Sequence, residues 1–205
     1  MYSKTMSARD YSGLLAESSR ELRAVFSSNA MVFPHPCREW EYSLALHTMK
    51  AVGGRSLLDV GGGRGPMADA FDLLGYEVTI VDPVMDKRSS PRIKLLQGTT
   101  IADNPIKHDV VSCISVLEHV RNLLEIYLSL FEWATKAIVI TVDFSPEGVP
   151  CFPDQRRIFT EADMCTMVST AADLGWAPPN PPSYPHEGRP LSARYNFASL
   201  VLVST

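Results

Sequence analysis

The stretch from Ser56 to Pro83, SLLDVGGGRGPMADAFDLLGYEVTIVDP, constrains this 205-residue chain more than any other part of it. Ser56 to Val60 is an apolar run bounded by turn residues, the pattern of a strand buried on both faces in a parallel sheet. Gly61, Gly62 and Gly63 follow, and backbone without Cβ atoms can turn tightly and let a ligand come close. Pro66 suits the first turn of a helix, where its missing N–H costs nothing. Ala68, Ala70, Phe71 and Leu74 supply an apolar stripe, and Gly75 ends the helix. Val78, Ile80 and Val81 make the next strand. Asp82 closes it about 20 residues after the first glycine, where a ribose-binding acid is expected in a nucleotide-binding βαβ unit.

Asp59, two residues before the first glycine, separates two designs that share such a turn. NAD-binding turns follow G-x-G-x-x-G, and the third glycine, needed for close helix–strand packing, would fall here on Pro66. The run Asp59-Val60-Gly61-Gly62-Gly63-Arg64-Gly65 instead matches D/E-x-G-x-G-x-G, and the chain resembles the class I S-adenosylmethionine-dependent methyltransferases. The resemblance implies an α/β fold, a doubly wound, mostly parallel seven-stranded sheet of Rossmann-like design with an antiparallel last strand. It implies S-adenosyl-L-methionine as cofactor and S-adenosyl-L-homocysteine as product. Asp59 and the backbone of Gly61, Gly62 and Gly63 would hold the methionine end, and Asp82, with Pro83 beside it, the ribose hydroxyls.

A second family segment is Ser115-Val116-Leu117-Glu118-His119-Val120, after the apolar run DVVSCI. By the same resemblance Ser115 and Val116 pass near the methyl sulfonium. Thr99 and Thr100 stand where many relatives carry an acid for the adenine amino group, so hydroxyl or backbone groups would have to take its place. Some RNA 2′-O-methyltransferases bind a metal with Glu-x-x-Glu-His; Ser115 replaces the first Glu here, and two ligands do not make a site. No metal is expected. Asn180-Pro181-Pro182-Ser183 lacks the aromatic residue that stacks a flipped base, and it does not follow the strand that a DNA adenine methyltransferase motif must follow.

Apolar patterning places further strands at 93–96, 109–116, 136–142 and 196–204, and helices at 121–134 and from Thr160 to Gly175, the latter opened by Thr160 with Asp163 as a shortened capping box. A single domain, 1–205, is expected, with a helical lid over 1–52 and the Rossmann-like core over 53–205. In the lid, Leu15, Leu22, Val25 and Phe26 share a helical face, and a second helix runs from about Arg38 to Val52 after the break Phe33-Pro34-His35-Pro36. Arg38-Glu39-Trp40-Glu41-Tyr42 is its densest polar and aromatic cluster: either it touches cofactor or substrate, Trp40 first among candidates, or it is helix packing with a solvated face.

A net charge of −4 argues against a broad nucleic-acid footprint. The four cysteines (37, 113, 151 and 165) form no C-x-x-C pair, and reduced, mostly buried thiols are expected. No segment approaches 18 apolar residues, so a cytoplasmic chain with no membrane contact is expected. A homodimer is an assembly open to it.

Ligands of open α/β sheets bind beyond the carboxyl ends of the strands. The segments 34–42, 143–159 and 184–195 lie there and offer Asp143, Phe152, Arg156, Arg157, Tyr184, His186, Arg189 and Arg194, with the arginines equally readable as surface charges. A hydroxyl or ammonium nucleophile must lose a proton, and His119, His186 and Asp143 are the candidate bases. The expected activity is methyl transfer by in-line displacement to an oxygen or nitrogen of a small-molecule acceptor. The alternatives are methylation of protein or RNA, or a non-catalytic cofactor-binding protein.

Overall fold

The computed structural model describes residues 4–5, 13–84, 90–98, 107–145, 153–179 and 196–205. Its elements in chain order are β1 (Lys4–Thr5), α1 (Ala16–Ser28), α2 (Pro36–Ala51), β2 (Ser56–Val60), α3 (Met67–Leu73), β3 (Glu77–Asp82) and β4 (Lys94–Gln97). There follow β5 (His108–Ile114), α4 (Leu123–Trp133), β6 (Ala134–Phe144), α5 (Glu161–Asp173), β7 (Trp176–Ala177) and β8 (Asn196–Ser204). The strands form one sheet in the order β1-β8-β6-β5-β2-β3-β4, and β7 also pairs with β8. The five strands from β4 to β6 are mutually parallel, and β8 runs antiparallel to β6, β1 and β7. The fold is the doubly wound, mostly parallel α/β sheet.

The alternation of strand side chains explains the layers. Leu57, Val110, Val139 and Val201 enter the core shared with α1, α2 and α3, whereas Leu58, Val111, Ile138 and Leu200 enter the core beneath α4 and α5. Each central strand is therefore apolar on both faces, as a sheet covered on both sides requires. On α1, Leu22 and Phe26 are buried; on α4, Tyr127, Leu130, Phe131 and Trp133. Helix α2 is different: residues 40–46 are all buried, because α1 covers one side and the sheet the other. The expected lid thus contains a helix built into the core.

Helix starts follow local chemistry. His35 Nδ1 accepts the Cys37 N–H at the start of α2, and Pro36 occupies the first turn. Thr160 and Asp163 form the reciprocal capping box of α5. The expected strand 109–116 ends early, at Ile114, because Ser115 turns to φ 51°. The expected helices 121–134 and 38–52 span Leu123–Trp133 and Pro36–Ala51. Among the described residues the sheet has seven strand positions filled by eight strands, since β1 and β7 are two-residue pairings on the same edge of β8. Of the three described cysteines, Cys37 and Cys113 are buried, in line with mostly buried thiols, and Cys165 is exposed on α5.

Candidate functional site

Strand order reverses direction between β2 and β5, the place where an open α/β sheet opens a crevice at its carboxyl end. The glycine loop leaves β2 at this point. Gly61 has φ 69°, and a Cβ there would lie 2.5 Å from Val116 Cγ2, on the loop leaving β5. A Cβ on Gly62 would overlap the Asp59 carboxylate. The glycine loop therefore packs against the loop leaving β5 only because Gly61 lacks a side chain.

Two carboxylates brace the loop. Asp59 is buried, and its Oδ1 accepts the Ser112 hydroxyl at 3.0 Å. Asp82, at the end of β3, accepts the Gly63 N–H at 3.1 Å on Oδ2 and the Val84 N–H at 2.9 Å on Oδ1. Each oxygen of a carboxylate can accept more than one hydrogen bond. Pro83 is exposed beside it. From α2, Tyr42 packs against the loop, its hydroxyl 3.2 Å from where a Gly65 Cβ would stand.

On the other side of the switch point, α2 delivers a buried carboxylate. Glu41 is fully buried; Arg38 Nη1 donates to its Oε2 at 2.7 Å, and Ser115 Oγ and Thr141 Oγ1 donate to its Oε1 at 3.0 and 2.6 Å. Arg38 Nη1 also lies 2.9 Å from Ser115 Oγ. Burial opposes the Arg38 charge, but Glu41 more than offsets it and its pKa is raised. The left-handed turn at Ser115 is thus held by hydrogen bonds from a helix far away in sequence.

A cavity of about 350 Å³ opens beside this network, lined in part by Arg38, Ser115, Glu118, His119, Asp143 and Gln155. Gln155 donates to Asp143 Oδ2. The Asp143 carboxyl is raised above its ordinary range, first by burial and then by Glu41, against the Gln155 hydrogen bond. Glu118 is fully buried and pushed up to about 8, chiefly by desolvation and further by Asp143 and Glu41. Its carboxyl oxygens have no well-formed hydrogen bond among the described residues, although the backbone amides of Glu118 and Asp143 are close enough to moderate the shift. Cys37, on the same wall, is raised to about 11 by burial. His119 is partly exposed; its Nδ1 lies 3.2 Å from the Asp154 carbonyl oxygen. A carbonyl only accepts, so Nδ1 carries the hydrogen and Nε2 the basic lone pair.

The crevice therefore brings together Asp59, Gly61, Gly62, Gly63, Asp82, Ser115 and Val116, with His119 and Asp143 in the adjoining cavity. Trp40 is 3% exposed within the core, which leaves its indole little surface for a ligand. Arg156 Nε and Arg157 Nη2 donate to the His119 and Val120 carbonyls, so both fasten the turn after β5. Thr99, Thr100, Phe152, Tyr184, His186, Arg189 and Arg194 lie outside the described residues. Sequence reasoning missed Arg38, Glu41 and Thr141 as a unit. Their one signal was the polar density of residues 38–42.

A model of the methyltransferase domain matches residues 37–167, more than half of the chain. The chain belongs to this methyltransferase domain family. It is 26% identical over 143 residues to a ubiquinone biosynthesis O-methyltransferase of Rickettsia bellii, covering 65% of this chain and 55% of the relative. The corresponding Rickettsia prowazekii protein is 28% identical over 138 residues, covering 62% and 50%. The chain thus spans about half the length of the curated relatives it matches. Among solved structures it is similar to the Burkholderia thailandensis 1,6-didemethyltoxoflavin-N1-methyltransferase with bound 1,6-didemethyltoxoflavin and S-adenosylhomocysteine. That likeness has TM-score 0.65 and 17% identity, covering 98% of this chain and 91% of the other. Magnesium protoporphyrin IX methyltransferase from Synechocystis PCC 6803 gives TM-score 0.57 at 17% identity, covering 96% and 98%. No helix among the described residues is long and apolar enough to cross a membrane.

Proposed function

We propose that this chain transfers a methyl group from S-adenosylmethionine to an oxygen or nitrogen of a small-molecule acceptor. The observation that carries the proposal is the side-chain-free glycine loop at the switch point, braced by the Asp59 and Asp82 carboxylates. A methionine-and-ribose ligand suits these groups: the bare loop admits its backbone-like end, and Asp82 can accept ribose hydroxyls while holding Gly63 and Val84. Asp59, Gly61, Gly62, Gly63, Asp82, Pro83, Ser115 and Val116 are the proposed cofactor contacts. When bound, the cofactor supplies a methyl group already activated for displacement. The similarity to ubiquinone O-methyltransferases and to a toxoflavin N-methyltransferase supports a small-molecule acceptor.

The protein's share of the work is then positioning, a contribution that reaches about 7–11 kcal/mol in favourable cases. Helix α2 acts as a fixed wall. Its buried Glu41, anchored to Ser115 and Thr141, keeps the ends of β5 and β6 in register with the loop. His119 is the proposed general base: Nδ1–H is spent on the Asp154 carbonyl, which leaves Nε2 to take the acceptor's proton.

Calorimetry with S-adenosylhomocysteine tests the cofactor assignment. Binding is expected, and Asp59→Ala or Asp82→Ala should weaken it at least tenfold. Absent binding, or binding undiminished in both variants, would sink the proposal. Once an acceptor is found by screening metabolite pools for homocysteine-product release, His119→Ala should lower turnover about 10²–10⁴-fold with unchanged S-adenosylhomocysteine affinity.

A further inference from the structure

Glu118 is the buried group to which the mechanism above gives no task. Its carboxyl is fully buried at the wall of the 350 Å³ cavity and lacks a well-formed hydrogen bond. Burying such a group is costly unless a donor reaches it. Among the described residues, the charged and titratable groups around it are Cys37, Arg38 and Glu41 from α2, Cys113 from β5, Asp143 from β6, His119 next to it in the chain, and Asp154, Arg156 and Arg157 from the segment whose backbone N–H groups bond the Glu118 carbonyl. Arg38 is already matched by Glu41 at 2.7 Å. The Cys113 thiol is held well above its ordinary range by burial and stays neutral. Asp143 is a second buried carboxyl, and among the described residues the uncharged Gln155 amide donates to it. Among the described residues, Arg156 and Arg157 give their guanidinium groups to the His119 and Val120 carbonyls, so Glu118 and Asp143 are two buried carboxyls at this cavity with no cationic partner.

We propose, on the basis of the methyl-transfer reading above, that the acceptor carries a protonated amine and that Glu118 and Asp143 form the subsite that holds it. An ammonium group brings several N–H donors and the charge that two desolvated carboxyls lack. A carboxylate or phosphate acceptor would oppose ionisation of either carboxyl and brings no N–H donor, and a hydroxyl would satisfy only one oxygen. The ammonium is a recognition group: no proton transfer at the reacting atom is assigned to Glu118. Without a ligand, burial keeps Glu118 largely protonated at neutral pH. A bound cation favours its ionised form, so amine entry expels the Glu118 proton to solvent.

The test is calorimetry on the full chain saturated with S-adenosylhomocysteine, using phenethylamine, 2-phenylethanol and phenylacetate as probes of matched shape. Phenethylamine should bind at least tenfold more tightly than either of the others. At pH 7 its heat should vary with the buffer's ionisation enthalpy, reporting a released proton. Glu118→Gln should remove both effects, and Asp143→Asn should lower amine affinity several-fold. Should Glu118→Gln fail to fold, Asp143→Asn and proton release by the wild-type chain carry the test. Equal or tighter binding of the alcohol or the acid, an amine preference retained in Glu118→Gln, or no binding of any probe would overturn the subsite. Failure of S-adenosylhomocysteine itself to bind would strike the cofactor assignment instead, and titrating the three probes alone would then decide the subsite.

Discussion

The two sides of the crevice are built on opposite principles. The side of the glycine loop is local: Asp59, Gly61–Gly63 and Asp82 lie within one βαβ unit, and the working parts are backbone N–H groups, absent side chains and two carboxylates of that same unit. The α2 side is assembled over distance. Glu41 reaches Ser115 and Thr141, residues 74 and 100 positions away, and its working parts are buried side chains. A local backbone device can lose ligand affinity while the fold survives. A long-range side-chain device holds the fold and the site at once, so damage to one damages the other.

The largest expected effect is on the long-range side. Glu41→Ala leaves Arg38 without its carboxylate partner and the Ser115 and Thr141 hydroxyls without their acceptor, and should cost about 3–5 kcal/mol, measured by denaturant unfolding. A loss below about 1 kcal/mol would break the contrast, because α2 would then be held by apolar packing alone.

Glu118→Gln sharpens it through pH. The folded carboxyl is raised to about 8 from an ordinary 4.5, so the folded chain binds more protons than the unfolded chain between those values. Its contribution is intact below about pH 4.5 and is lost as pH rises through 8. Wild-type stability should therefore fall by on the order of 3 kcal/mol between pH 5 and pH 8 through this group, after discounting the full shift. The Gln variant should be flatter over that window. Parallel curves for the two proteins would show that Glu118 titrates normally.

On the local side, Gly62→Ala should cost about 1–3 kcal/mol of stability from overpacking against Asp59. It should also weaken S-adenosylhomocysteine binding far more than that stability loss suggests. Loss of affinity only in proportion to unfolding would erase the distinction. Thr160→Ala, in the cap of α5 and outside both halves, should cost about 1 kcal/mol and leave binding unchanged.

The same contrast governs what can be read from the chain before its fold is known. Ser56–Val60 and Asn196–Ser204 emerge with their expected bounds because apolar runs between turn signals identify buried strands. The glycine loop is equally legible, since its geometry is encoded within seven consecutive residues. The end of β5 is not. Ser115 continues an apolar pattern that predicts two more strand residues, and only hydrogen bonds from Arg38 and Glu41 reveal the turn. Nothing local marks Glu41 as more buried than Glu39, two residues earlier on a different face, although the first is sealed and the second is not. The two-residue strands β1 and β7 are too short to show any periodicity, and only their pairing to β8 defines them.

Glu41 also bears on engineering. Helices that precede a sheet of this kind invite treatment as an interchangeable cap, to be grafted from one relative to another to change substrate choice. Here the graft would remove the acceptor on which the Ser115 and Thr141 hydroxyls depend, and those residues would stay behind in the recipient. A workable chimera must carry Arg38, Glu41, Ser115 and Thr141 together, which places the exchangeable boundary inside the sheet.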